Sequence, residues 1–254
     1  MILVKSEEEI AIMREGGRRH AEILEKLCER VAPGVSTGEL NAYAEELVLA
    51  FGDLPAFKGY TPAGAPTPYP ATLCVSVNDV VVHGIPSPHQ ILKEGDLVSI
   101  DLGLRHRGLF TDAAITVPVG TISEELRELK EVTDGALAVG IAAARVGNTV
   151  GDIGYAIEQF VAKRYGIVKG LAGHGVGRRI HEDPFIPNYG KAGTGEKLVS
   201  GMTIAIEPML TLGKPAVDFH DDGYTVTTRD GSIAAHSEHT IAITDDGPII
   251  LTQM

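Results

Sequence analysis

The sequence predicts an α+β fold of two similar halves, each a helix pair that covers one face of antiparallel strands. Helix signals come in adjacent pairs and strand signals follow each pair, whereas a parallel sheet would alternate strands with helices. A weak internal repeat also indicates two halves, because an offset of 113 residues matches positions around the second helix of each pair. The matched positions are Gly34, Gly38, Leu40, Glu45 and Val48 with Gly147, Gly151, Ile153, Glu158 and Val161.

Capping boxes mark three of the four predicted helices. In Ser6-Glu-Glu-Glu9 and Ser36-Thr-Gly-Glu39 a hydroxyl side chain stands three residues before a glutamate, and apolar residues then recur at helical spacing. Thr121-Ile-Ser-Glu124 carries the same signal and predicts the first helix of the second pair. The apolar period predicts the last helix over about residues 152–165.

Runs of β-branched and apolar residues predict the strands. They lie at residues 72–78, at 80–82, in a hairpin at 97–114, at 202–210 with an interruption at Glu207-Pro208, and in a hairpin at 224–243 around Arg229-Asp-Gly. Residues 59–70 are too rich in proline for a helix or strand and are predicted to form a surface loop. Long loops of this kind often border functional sites.

The first predicted hairpin carries two aspartates. With His106-Arg107 at its tip, Asp101 is expected to face Asp112 directly across the strand pair. Two carboxylates repel each other in that position, so a half-buried pair needs a compensating cation, which suggests a metal ion. The alternative at this point is an exposed hairpin whose carboxylates point into water.

Composition and charge exclude some classes of function. The chain has 254 residues, a net charge of −12 and a pI near 5.2, which argues against a nucleic-acid-binding surface because phosphate contacts need clustered Lys and Arg. Its apolar runs are too short to predict a membrane span. Cys28 and Cys74 show no disulfide spacing, so we expect a cytoplasmic protein without a membrane or nucleic-acid partner.

Two further acidic residues belong to apolar strands. Glu207 has apolar neighbours on both sides, and Glu238 lies in the second predicted hairpin. Buried carboxylates are seldom left unpaired, because removing them from water is costly. Together with Asp101, Asp112 and a histidine they suit two divalent ions, which activate a water and polarise a carbonyl, so we predict a hydrolase. Oxygen-rich ligands favour manganese, iron(II) or cobalt, and zinc also fits.

Two other chemistries are weighed against a metal site. Gly173-His-Gly-Val-Gly177 resembles a nucleotide-binding loop, but the full spacing and the following helix are missing. Cys74 and His83 are candidates for a thiol nucleophile with its base, yet no residue can be named that would orient the pair. We therefore expect Cys74 to line a pocket.

Five histidines are predicted to lie outside the site. Four of them are expected at the surface: His20, His89, His106 and His220. His239 follows Glu238 directly in a strand, so its side chain is expected to point to the opposite face.

Several segments, taken in order, resemble type I methionine aminopeptidases. They are residues 74–86, Asp101 with Asp112, Gly173-His-Gly-Val-Gly177 with His181, Ile206-Glu-Pro-Met209 and Ser237-Glu-His-Thr240. The resemblance covers residues 6–251 and implies the pita-bread fold, in which two pseudo-symmetric halves enclose a dinuclear metal site. It also implies a single catalytic domain over residues 1–254, with halves at about 1–118 and 119–254.

The resemblance implies a set of metal ligands. Asp101 would hold one ion, His174 and Glu207 would serve the other, and Asp112 and Glu238 would bridge the two. The ions would be two divalent cations chosen among cobalt, manganese, iron(II), zinc and nickel.

The resemblance also implies catalytic and substrate-binding residues. His83 would contact the scissile amide and assist the leaving amine, and His181 would stabilise the carbonyl oxygen as it becomes an oxyanion. Glu207 would move the proton of the attacking water. Three positions match the lining of the substrate pocket: Tyr69, Cys74 and Tyr224. The implied substrates are nascent polypeptides near the ribosome that begin with methionine and carry a small second residue, and a monomer is expected.

Three features depart from the family pattern. Residues 59–70 form a longer and more proline-rich loop than usual, Ile180 replaces a frequent aromatic residue, and Tyr224 replaces a frequent tryptophan. These changes touch the pocket, so they bear on substrate preference more than on the reaction.

Two other functions stay open. An Xaa-Pro aminopeptidase or prolidase shares the fold but generally carries a large N-terminal domain, whereas here the first helix begins near Ser6. Type II methionine aminopeptidases carry a helical insertion, and the short interval between His181 and Glu207 leaves no room for it. A non-catalytic pita-bread binding protein is expected to lack the ligands and to carry basic patches.

Overall fold

The computed structural model describes residues 2–62 and 64–254. The helices are α1 (Glu7–Arg30), α2 (Thr37–Ala50), α3 (Glu124–Ala143) and α4 (Val150–Val161). The strands are β1 (Leu54–Pro55), β2 (Leu73–Val77), β3 (Val80–Val82), β4 (Leu97–His106), β5 (Leu109–Pro118), β6 (Gly166–Ile167), β7 (Gly173–Gly175), β8 (Glu182–Ile186), β9 (Thr203–Ile206), β10 (Met209–Thr211), β11 (Val217–Phe219), β12 (Val226–Thr228), β13 (Ala234–His236), β14 (Glu238–Thr244) and β15 (Gly247–Ile250). This is the α+β arrangement of two helix pairs and antiparallel strands that the sequence predicts.

A nine-stranded sheet forms the centre of the molecule. Its main path is β1-β4-β5-β14-β9-β7-β8, with β2 also paired to β4 and β15 also paired to β14. The pair β5–β14 joins a strand from the first half of the chain to a strand near its C-terminus. Two three-stranded sheets, β13-β10-β6 and β11-β12-β3, lie beside the central sheet.

The helices begin where hydroxyl side chains cap them. Ser6 and Ser36 form the predicted capping boxes, and each accepts a hydrogen bond from the backbone N–H of the glutamate three residues on. Helix α3 differs from the prediction, because Ser123 rather than Thr121 is its N-cap and accepts from the N–H of Leu126. Ser123 stands directly before the first helical residue, which is the position that a cap requires.

The two helix pairs cover separate parts of the core. Apolar residues of α1 and α2 pack with β2, β4 and β5, and those of α3 and α4 pack with β9 and β14. The predicted repeat has a structural counterpart, because Gly34 and Gly147 both have φ above 90° in the turn before α2 and α4. Glycine adopts that conformation without steric cost.

The central hairpin β4–β5 turns one residue later than predicted. Arg107 and Gly108 form its tip with φ of 47° and 90°, as in a type I′ turn. Asp101 therefore faces Ala114, while Asp112 faces Gly103. The predicted direct pairing of the two aspartates is wrong, yet both side chains remain on one face because residues two apart in a strand share a face.

The predicted hairpin at 224–243 is also wrong. Strand β12 pairs with β11 and β3, whereas β13 pairs with β10, so the two arms belong to different sheets. Each arm finds a partner that is distant in sequence, and local strand patterns do not identify such partners. No helix among residues 2–62 and 64–254 is long and apolar enough to cross a membrane.

Candidate metal centre and active site

A transverse row of residues in the central sheet brings two of the predicted ligands together. Cys74 of β2 faces Asp101 of β4, Asp101 faces Ala114 of β5, and Ala114 faces Glu238 of β14. Paired residues point to the same face of a sheet. The small side chain of Ala114 thus leaves space between the Asp101 and Glu238 carboxylates. Asp112 lies two residues before Ala114 in β5, so its side chain is on the same face.

The second half of the chain supplies the other two predicted ligands. Glu207 follows the last residue of β9, where Pro208 interrupts the strand before β10, as the sequence predicts. The Asn188 side chain donates a hydrogen bond to the backbone carbonyl of Glu207 at 2.9 Å. His174 lies in β7, and its neighbour Gly175 pairs with Ile204 of β9. The pairing of β7, β9 and β14 therefore brings His174 and Glu207 to the Asp101–Glu238 row.

The potential ligand atoms of these five residues converge. Three overlapping groups have ligand atoms within 4.8 Å of one another: Asp101, Asp112 and Glu238; His174, Glu207 and Glu238; and Asp112, His174 and His181. The Nε2 atom of His174 lies 3.7 Å from Asp112 Oδ2 and 3.7 Å from Glu207 Oε1. Glu238 belongs to the first and second groups and Asp112 to the first and third, so these two carboxylates link the groups.

The carboxylates of this centre are buried, and their protein partners do not replace all the hydrogen bonds that water would supply. Asp101, Asp112 and Glu238 are 8%, 3% and 2% exposed, and each has a buried carboxylate oxygen with no hydrogen-bond partner. Burial raises the pKa of Asp101 to about 7. Burial also raises the pKa of Asp112, Glu207 and Glu238, and the neighbouring carboxylates raise each of them further.

The tautomer of His174 suits a metal ligand. Its Nδ1–H donates to the carbonyl of Gly175 at 2.9 Å, so the lone pair lies on Nε2. Burial lowers the pKa of His174 to about 3, which keeps the imidazole neutral. Three buried carboxylates with unpartnered oxygens, the Glu207 carboxylate beside them and one imidazole lone pair fit divalent cations, because cations would supply both the missing positive charge and the missing contacts.

Two more histidines lie beside this centre. The ring of His181 contacts that of His174 edge-on at 4.4 Å between centroids, and its Nδ1 lies 3.0 Å from the hydroxyl of Tyr60. His83 follows β3 with a φ of 60°, and burial lowers its pKa to about 4. Both side chains line the cavity that opens above the carboxylates.

This cavity has a volume of about 500 Å³ and largely apolar walls. The three predicted pocket residues, Tyr69, Cys74 and Tyr224, all line it, together with Phe57, Tyr60, Leu171 and Phe219. The rings of Tyr69 and Tyr224 meet edge-on at 4.9 Å. Tyr224 donates its hydroxyl hydrogen to the carbonyl of Thr67, so this residue of the predicted loop, of which residue 63 lies outside the described residues, braces one wall of the cavity.

Cys74 does not fit the alternative of a thiol nucleophile. Burial raises the pKa of its thiol well above the ordinary value, and the nearby Asp101 carboxylate raises it further. A nucleophilic cysteine needs a lowered pKa, so this environment favours the role of a wall residue.

Sequence reasoning missed two residues of the site. Tyr60 lies in a loop without a periodic signal. His236 lies two residues before Glu238. This spacing places two side chains on one face of a strand, so the sequence contained a signal that could have identified His236. Its Nε2 atom is buried, lacks a hydrogen-bond partner and lies 3.8 Å from Glu207 Oε2.

Two of the predicted surface histidines are in fact buried. His20 is 0% exposed with Nδ1 3.1 Å from the hydroxyl of Thr111, and His106 is 6% exposed with Nδ1 2.7 Å from Asp53. Each has a polar partner that is distant in sequence, so the residues around the histidine do not reveal it. His89 and His220 are exposed as predicted, and His239 points away from the centre to the hydroxyl of Thr252.

Comparison with known proteins supports this description. Residues 11–245 match the family described as "Metallopeptidase family M24". A methionine aminopeptidase of Clostridium perfringens is 46% identical over 253 residues, which cover 99% of each chain. The chain belongs to the methionine aminopeptidases of metallopeptidase family M24.

Solved structures of this family have the same architecture. The crystal structure of methionine aminopeptidase from Thermotoga maritima aligns over all of both chains with a TM-score of 0.95 and 41% identity. The fold is therefore the pita-bread fold that the sequence resemblance implies. An Xaa-Pro dipeptidase from Bacillus anthracis aligns with a TM-score of 0.76 over 62% of its length at 22% identity, and this similarity shows the fold alone. The comparisons favour a methionine aminopeptidase over the prolidase alternative.

Proposed function

We propose that this chain removes the N-terminal methionine from polypeptides whose second residue is small, by metal-dependent hydrolysis of the first peptide bond. The observation that carries the proposal is the convergence of the five ligand residues at the base of the apolar cavity. Such a cavity suits the flexible thioether side chain of methionine. The full-length similarity to methionine aminopeptidases supports this substrate.

Five residues would hold two divalent cations. Asp101 would bind one cation, His174 and Glu207 would bind the other, and Asp112 and Glu238 would contact both. When bound, the cations would lower the pKa of a water and polarise the scissile carbonyl. Four carboxylates and one imidazole favour manganese, iron(II) or cobalt, while zinc and nickel also fit.

Three side chains would act on the substrate. The Glu207 carboxylate would take the proton of the attacking water and pass it to the leaving amine. His181 would donate from Nε2 to the carbonyl oxygen as negative charge develops on it. His83, at the cavity wall, would contact the scissile amide and assist departure of the amine.

The pocket would accept methionine through its aromatic and sulfur-containing walls. Tyr69, Cys74 and Tyr224 would contact the side chain of the substrate, and the loop at 59–70 would limit the space for the second residue. This loop braces Tyr224 through Thr67, which supports a link between the longer loop and substrate preference.

The proposal also includes the oligomeric state, the cellular location and the domain organisation of the protein. We expect a monomeric cytoplasmic protein that acts on nascent chains near the ribosome, formed as one catalytic domain over residues 1–254 with halves at about 1–118 and 119–254. The two free cysteines, Cys28 and Cys74, support a reducing compartment.

The deciding experiment is methionine release by metal-stripped protein before and after addition of manganese, iron(II), cobalt, zinc or nickel. Met-Ala-Ser and Met-Pro-Gly are the substrates, and Ala-Pro and Gly-Pro peptides are the controls. We expect metal-dependent release of methionine from the first two peptides. Cleavage of only the proline-directed peptides would replace the proposal by a prolidase activity, and no cleavage with any metal would favour a binding protein.

The variant Asp101→Asn tests whether this activity uses the described centre. The substitution removes a ligand charge at nearly constant volume, so we expect turnover to be abolished. Stability of the metal-free protein should be maintained, because the variant no longer buries that uncompensated charge. Asp246→Asn changes an exposed aspartate in the same way and is the matched control. Wild-type turnover in Asp101→Asn would contradict the ligand assignment.

A further inference from the structure

His236 is held rigidly beside the metal centre. It is 2% exposed at the end of β13, where it pairs with Met209 of β10. Its backbone N–H donates to the Thr116 hydroxyl at 3.0 Å, and its carbonyl accepts from the same hydroxyl at 2.7 Å. The hydroxyls of Thr116 and Ser99 lie 2.8 Å apart. The central hairpin therefore fixes the backbone from which the imidazole projects.

The imidazole of His236 lies between two of the proposed ligands. Its Nε2 atom is 3.8 Å from Glu207 Oε2 and 3.9 Å from Glu238 Oε2. The other oxygen of Glu207, Oε1, faces His174 at 3.7 Å. The Glu207 carboxylate thus has a different imidazole opposite each of its two oxygens.

The two imidazoles differ in the chemistry available to them. His174 belongs to two of the groups of mutually close ligand atoms, whereas His236 belongs to none of those found in the described parts of the chain. Nε2 of His236 has no hydrogen-bond partner, and the charged atoms nearest to it are carboxylate oxygens, which only accept hydrogen bonds. An N–H at this atom would be attracted to both carboxylates, and a lone pair would be repelled by them.

We propose that His236 is a positioning residue whose Nε2–H attracts the Oε2 atoms of Glu207 and Glu238, 3.8 and 3.9 Å away, and so orients both carboxylates toward the cations. The inference rests on the proposed function and deepens it, because Glu207 is both a proposed ligand and the proposed proton acceptor. Donors of this kind commonly contribute 10- to 100-fold to metal affinity.

Metal binding to stripped protein tests the proposal without a substrate. Titration calorimetry with manganese and cobalt should show an affinity about 10- to 100-fold weaker in His236→Leu than in wild type. His236→Gln should restore affinity to within a few-fold, because an amide N–H at the end of Gln reaches the position of Nε2. His236→Asn carries the same amide on a shorter side chain, so its metal affinity should be as weak as that of His236→Leu. This variant replaces His236→Leu in the comparison if the leucine variant does not fold.

The visible spectrum of the cobalt-loaded protein separates positioning from direct ligation. We expect His236→Gln to keep the wild-type band positions and a similar KM, with kcat restored relative to His236→Leu. His239→Gln is the matched control, since this histidine is next to Glu238 but points to Thr252 on the other face.

Wild-type metal affinity and kcat in His236→Leu would overturn the proposal. Shifted bands in His236→Gln with affinity as weak as His236→Leu would also overturn it, because His236 would then be a ligand. If wild type binds cobalt but releases no methionine, only the proposed function fails.

Discussion

At the scale of single residues, the hydrogen bond to Tyr60 bears on the tautomer of His181. Nδ1 lies 3.0 Å from the Tyr60 hydroxyl, and we expect this hydroxyl to donate, which would leave the imidazole hydrogen on Nε2 at the cavity wall. Although part of His181 is exposed, the surrounding protein lowers the pKa of its ring. A neutral imidazole with an N–H toward the substrate is what stabilisation of an oxyanion requires.

His181→Ala should therefore reduce kcat by about 10²- to 10³-fold, the usual effect of losing one oxyanion donor. Metal content should stay at the wild-type level, because His181 is proposed to act on the substrate rather than on the cations. Kinetics and metal analysis of the purified variant check the two expectations. A variant that loses its metal would show that His181 is a ligand.

His20 gives the fold a dependence on pH that is separate from the metal centre. Its ring is fully buried between α1 and β5, and burial lowers its pKa to about 3 from 6.5. Below pH 6.5 the unfolded chain binds a proton that the folded chain does not bind, so the free energy of unfolding falls as pH falls. Above pH 6.5 both states are neutral and the effect is absent.

The variant His20→Asn tests this contribution. Between pH 6.5 and 5 the wild type should lose about 1.6 kcal/mol of stability more than the variant, because the slope rises from half of its limit of about 1.4 kcal/mol per pH unit as the unfolded histidine becomes protonated. Denaturant unfolding of both proteins with the same metal loading measures the difference. His89→Asn, at an exposed position, should retain the wild-type pH dependence. Equal slopes for His20→Asn and wild type would contradict the prediction.

At the scale of elements, the segment before α1 supports the loop that carries His181. The Lys5 ammonium contacts the Glu182 carboxylate, and the two side chains are 1% and 2% exposed. The same carboxylate accepts hydrogen bonds from the backbone N–H groups of Arg178 and Arg179 at 2.6 and 2.8 Å. The ion pair thus ties the start of the chain to the turn between β7 and β8.

Lys5→Met should lower the free energy of unfolding by about 3–5 kcal/mol, because it leaves the Glu182 charge buried without its cation, with only backbone N–H groups beside it. The double variant Lys5→Met with Glu182→Leu should recover much of this loss, since no buried charge remains. Denaturant unfolding of the single and double variants measures both effects. A small loss in Lys5→Met would mean that water reaches Glu182.

At the scale of the whole molecule, the beginning and the end of the chain meet at a close contact. Gly17 of α1 lies against the backbone of Leu251, and a Cβ added there would stand 2.1 Å from the Leu251 carbonyl oxygen. The N–H of Leu251 donates in turn to the carbonyl of Thr240 in β14. Helix α1 therefore contacts the C-terminal segment that is hydrogen-bonded to β14, the strand that contributes Glu238.

Gly17→Ala should destabilise the protein even though alanine is the better helix former. The gain in helix propensity is about 1 kcal/mol, and overpacking costs typically about 1–3 kcal/mol. We expect the upper part of that range because the obstacle is backbone. Gly135→Ala is the matched control, since its added methyl meets only the end of the half-exposed Phe160 ring, which can move. Thermal unfolding of both variants decides, and an unchanged or higher Tm for Gly17→Ala would contradict the prediction.

The sequence by itself determined features that depend on neighbouring residues. Capping at Ser6 and Ser36 involves groups three residues apart, and the apolar context of Asp101 and Glu207 is visible within one strand. The pairing of acidic residues with apolar runs therefore indicated a metal site, and the ordered motifs identified the family. These signals depend on residues that are close together in the sequence, so they can be recognised without a three-dimensional structure.

The tertiary structure decided what depends on contacts between distant segments. The turn at Arg107-Gly108 set the register of the hairpin, so Asp101 faces Ala114 instead of Asp112. His20 is buried, and His236 lies close to Glu207, because folding brings together helices and strands that are distant in sequence. The free energy of burial and the geometry of the carboxylates depend on these contacts, which is why a linear pattern indicated candidate ligands but left their arrangement open.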